Sequence, residues 1–247
     1  MPTVNSGAGS QVSYFSGDTE LRGYFAAPEG VTNAPCVIVV HEWWGINDYI
    51  RRRVDMLAEL GFCALAADMY GAGREALTPD DAGALMQGVL DDPTAVPQRF
   101  GAALEWLRGK SEVDAGRVAA IGYCFGGAVA LAMARAGMDL AAVASFHGVL
   151  ETATPAQPGQ IKARIAVYHG NDDGMIPAEQ VTAFDAEMKA AGADYEIIGY
   201  DGAGHGFSSP EADRNGELYG IPVAYNQAAD ADSWAKLQQL LAATLRR

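Results

Sequence analysis

Val118-Ala119-Ala120-Ile121-Gly122-Tyr123-Cys124-Phe125-Gly126-Gly127-Ala128-Val129-Ala130-Leu131-Ala132-Met133 carries an apolar strand into a helix through a turn of small residues. Glycine stands two residues before and two after Cys124, so the chain is free to bend sharply and hold one side chain out at the end of a strand, as a G-x-S-x-G nucleophile elbow does. Here the displayed atom is sulfur. At a helix N-terminus the dipole and the N–H groups of the first turn favour a thiolate, so the position itself activates what it displays.

Outward from this stretch the alternation of strand and helix repeats. Upstream, 36–40 and 62–67 are continuous apolar runs, as expected of strands covered on both faces. Between them Asn47 or Asp48 caps a helix whose Ile50, Val54, Leu57 and Leu60 recur at helical spacing, with Gly61 as its stop. Thr78-Pro79-Asp80-Asp81 and Asp92-Pro93 open two more helices, the second running through Phe100, Leu104 and Leu107. At the start of the chain Val12 and Tyr14, then Leu21, Gly23 and Phe25, alternate around Ser16-Gly17-Asp18 as an antiparallel hairpin. Downstream, strands are predicted at 141–146, 165–168 and 195–200 and helices at 178–191 and from about Asn226. A surface loop is expected over 152–162, and an irregular excursion over 201–223. No internal repeat or low-complexity segment interrupts the pattern.

Strands alternating with helices predict a mostly parallel, doubly wound sheet, here in one α/β domain over 1–247. At 49% hydrophobic residues the chain has ample material for one core. A net charge of −14, from 31 acidic and 17 basic residues, argues against a nucleic-acid partner, which needs clustered Lys and Arg. The odd set Cys36, Cys63 and Cys124 contains no C-x-x-C pair and reads as a reducing compartment. The stretch 1–12 has neither a basic nor an apolar leader segment, and no apolar run approaches the length of a membrane span. The expectation is a cytoplasmic protein, monomeric or a small homo-oligomer, with no membrane partner.

Sites in such sheets lie at the carboxyl ends of strands. That rule selects His41-Glu42, Asp68, Cys124, His147, His169 through Asp173, and His205. A thiol nucleophile needs a base to take its proton and a third group to orient the base. Nucleophile, then acid, then histidine is the chain order of the α/β-hydrolase fold, and Cys124, one of Asp172 or Asp173, and His205 satisfy it.

With these residues assembled, the chain resembles the dienelactone hydrolases, α/β-hydrolases that use Cys in place of Ser. The likeness covers residues 37–207. Gly122-Tyr123-Cys124-Phe125-Gly126-Gly127 is similar to the family's nucleophile motif and Gly204-His205-Gly206-Phe207 to its histidine motif. In Asp173-Gly174-Met175-Ile176-Pro177 the family's acid matches Asp173, the residue four before the proline. The resemblance aligns Glu42, in His41-Glu42-Trp43-Trp44-Gly45, with a carboxylate that holds the resting thiol and moves away when substrate binds. A carboxylate near a thiol disfavours the thiolate, so its release would make activation depend on substrate. It implies an oxyanion hole from the backbone N–H groups of Trp43 and Phe125. Small esters or lactones are the implied substrates, with no cofactor.

The departures concern substrate. Family members of the dienelactone type hold a carboxylate with two arginines; Arg74 is a loosely spaced match for the first, and Gly206-Phe207-Ser208-Ser209-Pro210 lacks the second. The chain also carries an excursion over 211–225. Trp43, Trp44, Tyr70 and Tyr123 are pocket-lining candidates, with core packing as the alternative.

The same residues bear on other chemistry. Cys36 and Cys63, set among apolar strand residues, read as core hydrophobes. A dinucleotide-binding G-x-G-x-x-G would need glycine where Cys124 stands. His41-Glu42-Trp43-Trp44-Gly45 begins like H-E-x-x-H but ends in glycine; a metal hydrolase stays as an alternative because all four histidines lie near strand ends. His41, His147 and His169 read as supporting or structural residues. A thiol oxidoreductase lacks a resolving cysteine, and a binding module with an inert thiol is the alternative from another class.

Overall fold

A computed structural model of the chain describes residues 9–245; the part of the 1–12 reading that concerns residues 1–8 falls outside them. The elements in order are β1 Ser10–Ser16, β2 Thr19–Ala26, β3 Ala34–Val40, α1 Asp48–Glu59, β4 Cys63–Ala67, α2 Pro79–Leu90, α3 Ala95–Arg108 and β5 Val113–Tyr123. There follow α4 Phe125–Arg135, β6 Ala142–Phe146, β7 Arg164–Gly170, α5 Ala178–Ala191, β8 Tyr195–Tyr200, α6 Ala212–Tyr219 and α7 Gln227–Leu245. Strand order is β1-β2-β4-β3-β5-β6-β7-β8. This is the expected mostly parallel sheet with an antiparallel N-terminal hairpin.

The chain divides into two compact units at Ala119/Ala120, within β5. In the first, β1 and β2 pair antiparallel from Ser10↔Phe25 to Ser16↔Thr19, around Gly17 at φ 57°. β2 then pairs antiparallel with β4, and β4 runs parallel to β3, with Cys36 opposite Cys63 and Val40 opposite Ala67. Cys36 through Val40 and Cys63 through Ala67 are completely buried, which is what their unbroken apolar runs require. α1 packs on β2, β3 and β4, and its buried stripe is Ile50, Val54 and Leu57. Asn47 caps it, its side-chain oxygen accepting from the Ile50 N–H at 3.2 Å. Trp106 of α3 closes the hairpin face, its ring 5.2 Å from Phe25 and 6.1 Å from Tyr14.

In the second unit β6, β7 and β8 are parallel neighbours, with α4 on β6 and α7 on β6 and β7. Three elements differ from expectation. β5 begins at Val113 rather than 118, because Asp114 accepts from the Gly116 N–H and from Arg117 Nε and so holds a polar lead-in extended. α3 begins at Ala95: Asp92 instead builds a turn, accepting from Thr94 N–H and Oγ and from Ala95 N–H. The excursion after β8 is not irregular throughout, since α6 occupies Ala212–Tyr219 and ends at left-handed Gly220.

Candidate active site

Cys124 is the N-cap of α4 and has φ 52°, ψ −115°, a backbone state that costs about 1–3 kcal/mol for a residue with a side chain. Its surroundings enforce the bend. The Cys124 N–H donates to Phe146 O at 3.0 Å, tying it to β6, while its carbonyl accepts from Gly127 at 3.0 Å and Ala128 at 3.3 Å. A Cβ at Gly122 would collide with the carbonyl of Gly126, and one at Gly127 would lie 2.5 Å from Ser145 Oγ. Only glycine fits either position. The turn therefore leaves Cys124 partly exposed while Tyr123 and Phe125 on either side are buried.

His205 Nε2 lies 3.1 Å from Cys124 Sγ. Its Nδ1–H donates to Asp173 Oδ2 at 2.9 Å. Asp173 is itself fixed, because Oδ1 accepts from the N–H groups of Met175 at 2.8 Å and Ile176 at 3.1 Å. Histidine and carboxylate are both 4% exposed, whereas Asp172 faces solvent. Cys124 follows β5, Asp173 follows β7 and His205 follows β8, so three strand ends of one unit deliver a sulfur, a carboxylate and an imidazole that form one hydrogen-bonded series.

Electrostatics within this group favour a proton on the imidazole. Burial pushes His205 down, but the charge of the Cys124 sulfur and the Asp173 hydrogen bond outweigh it and raise the group to about 10. His169 moves the other way: burial lowers it, opposed by the Asp173 charge and reinforced by His205. The remaining thiols are inert by location. Burial pushes Cys36 up to about 12 and Cys63 up to about 11.

The excursion over 211–225 packs on the histidine loop. Val223 bridges His205 in parallel, the N–H of Ala224 donates to His205 O at 3.1 Å, and that of Asn226 donates to Phe207 O at 3.0 Å. The Asn226 side chain adds a bond to Gly202 O at 3.1 Å. His147, just past β6, sets its ring against His205. Sequence reasoning placed neither contact; the only signal was the position of His147 at a strand end.

The other candidates occupy defined places. Tyr123 is fully buried, with its ring stacked on Phe146 at 4.7 Å. Phe125 is the first residue of α4. In the first unit, Glu42 is 5% exposed two residues past β3, and its carbonyl accepts from the Gly45 N–H and from His41 Nδ1–H. Trp43 and Trp44 are half-buried and meet edge to face at 5.0 Å, and the Trp43 carbonyl accepts from Tyr70 OH at 2.9 Å. Arg74 is exposed and donates to Gly71 O and Tyr70 O, closing its own loop. Asp68 organises that loop from below, its buried carboxylate accepting from four backbone N–H groups, those of Arg22, Tyr70, Gly71 and Gly73. Among the described residues no group of three His, Cys, Asp or Glu side chains is placed to hold a metal ion, and no helix is long and apolar enough to cross a membrane.

Comparison with known proteins places the chain among relatives of one family and fold. Residues 21–245 match the model of the dienelactone hydrolase family. A solved dienelactone hydrolase-like promiscuous phosphotriesterase from metagenomic libraries is 36% identical and superposes with a TM-score of 0.88, covering 96% of this chain and 99% of its own. A Bradyrhizobium protein named "Probable 2-oxo-3-(5-oxofuran-2-ylidene)propanoate lactonase" is 32% identical over 205 residues, 78% of this chain and 80% of that protein. The Usf protein of Aquifex pyrophilus is 30% identical over 204 residues, 81% of this chain and 87% of that one. The fold is that of the α/β-hydrolases.

Proposed function

Since the chain belongs to the dienelactone hydrolase family and is a hydrolase, we propose that it cleaves small esters or lactones with Cys124 as nucleophile, His205 as proton carrier and Asp173 as the group that orients the histidine. The observation that supports this reading is the unbroken pair of hydrogen bonds, 2.9 Å from Asp173 to His205 and 3.1 Å from His205 to the sulfur.

Once substrate releases the sulfur from Glu42, the Cys124 thiol passes its proton to His205 Nε2, leaving a thiolate beside an imidazolium held by Asp173. The thiolate attacks the acyl carbonyl, forming a C–S bond and an oxyanion beside the Phe125 N–H at the start of α4. Collapse of the oxyanion breaks the C–O bond, and the leaving alkoxide takes the Nε2 proton. Water then gives a proton to Nε2 as its oxygen bonds the acyl carbon; the C–S bond breaks and the thiolate–imidazolium pair returns. Asp173 holds the tautomer and steadies the cation in both halves. A thiolate expels an alkoxide readily and an amine poorly, which favours esters and lactones over amides. The gate at Glu42, the Trp43 N–H and the Arg74 anchor belong to the same proposal on the strength of sequence resemblance. The likeness to a promiscuous phosphotriesterase adds activated phosphotriesters as side substrates to assay.

The experiment is stopped-flow hydrolysis of p-nitrophenyl acetate and of an enol lactone. The wild type is expected to show a burst followed by steady turnover, and Cys124→Ala a loss of at least about 10³-fold. Wild-type turnover in Cys124→Ala would refute the proposal.

A further inference from the structure

We propose that His147 is a positioning residue that holds the imidazole of His205 toward Cys124, with Ser208 as its anchor. The proposal rests on the hydrolase reading above and adds to it a residue outside the triad.

His147 sits just past β6 at φ 40°, a left-handed backbone state uncommon for a side chain of this size. Its N–H donates to Tyr168 O at 2.9 Å, which fixes where it leaves the sheet. The residue is 1% exposed. Its ring meets that of His205 edge to face at 5.2 Å and 67°, and that of Phe207 at 5.2 Å and 80°. Nε2 lies 2.8 Å from Oγ of Ser208, itself completely buried. One side chain thus touches three of the four residues from His205 to Ser208. A strained backbone at such a place is the kind of outlier that surrounding structure maintains for function.

The triad geometry explains what such a contact does. The two hydrogen bonds of His205 leave from opposite nitrogens, Nδ1 to Asp173 and Nε2 to Cys124. Together they fix where the ring lies along that line but leave it free to rock about it. A second ring packed edge to face stops the rocking. The need is greatest after acylation, when the sulfur is a thioester and no longer pairs with Nε2. His205 then has only Asp173 to orient it while it must aim at a water molecule. His147 therefore matters most to deacylation.

Two variants separate ring from backbone. Asparagine tolerates a left-handed φ, so His147→Asn removes the ring and keeps the turn; His147→Phe keeps a ring and loses the Ser208 bond. With p-nitrophenyl acetate, His147→Asn is expected to leave the burst rate within about 3-fold and lower the steady rate by about 10-fold or more, with His147→Phe restoring most of it. Ser208→Ala is expected to lower the steady rate by a few-fold. A wild-type steady rate in His147→Asn, equal slowing of burst and steady rate, or His147→Phe as slow as His147→Asn would overturn the proposal. Nitrogen-15 NMR of the His205 ring keeps the test independent of turnover: broadening in His147→Asn but not in His147→Phe supports it, and an unchanged His205 signal in both contradicts it. Absence of any turnover in the wild type would instead sink the hydrolase reading, with the NMR arm still deciding the role of His147. Should His147→Asn fail to fold, Ser208→Ala carries the test, and wild-type kinetics and His205 signal in that variant would overturn the anchor.

Discussion

The sulfur of Cys124 differs from those of Cys36 and Cys63 in what surrounds it. The latter two are fully buried, and burial holds them at about 12 and about 11, so both stay protonated in neutral solution. Iodoacetamide at pH 7.5, followed by peptide mapping, is therefore expected to label Cys124 alone; label on Cys36 or Cys63 at a comparable rate would contradict this (pH chosen near neutrality, about one unit below an ordinary thiol). For His205 the sign of the pH effect follows from the opposing contributions. Burial lowers it, while the Cys124 charge and the bond to Asp173 raise it to about 10. Removing the sulfur removes a raising contribution and leaves the lowering one. His205 in Cys124→Ala is then expected to titrate below the wild-type value, read from its ring protons by NMR; an unchanged midpoint would contradict the assignment of the shift to the sulfur. At this scale Cys124, His205 and the pair Asp172 or Asp173 were readable, because strand ends and chain order select few residues, and the family resemblance chose Asp173. The contact between His147 and Ser208 was not, since 61 residues separate them and nothing local in either marks the other.

At the scale of elements, the elbow depends on backbone clearance. Gly122→Ala sets a Cβ against the Gly126 carbonyl, which has no flexible end to yield, and is expected to lower stability by at least about 2 kcal/mol. Gly88, inside α2 with open space around it, gives the opposite result: Gly88→Ala is expected to raise stability by about 0.5–1 kcal/mol. Urea unfolding of both variants checks the pair, and equal destabilisation would contradict the steric account. β3, β4 and β7 were legible because buried strands read as unbroken apolar runs. α6 was not, because only Ala212 of its eight residues is buried and no apolar period survives. It is held instead by what it packs on, with Gly216 closing on the Val223 carbonyl at a spacing that leaves no room for a side chain. The lead-in of β5 was hidden for a related reason, since Asp114 and Arg117 satisfy each other rather than a core.

For the whole molecule, the sequence reading of one domain over 1–247 stands as a proposal beside the two compact units. β5 passes through their boundary as one continuous strand. If the chain unfolds as one domain, urea melts followed by circular dichroism and by tryptophan fluorescence coincide; two separated transitions would contradict it. The proposed chemistry turns on where the acyl group is carried. The direct measurement is mass spectrometry of protein quenched with acid during the burst with p-nitrophenyl acetate. One acetyl group as a thioester on the peptide containing Cys124, lost over the time of steady turnover and absent from Cys124→Ala, is the expected result. Turnover with no acetyl on Cys124, or acetyl carried by another residue at the same rate, would contradict it.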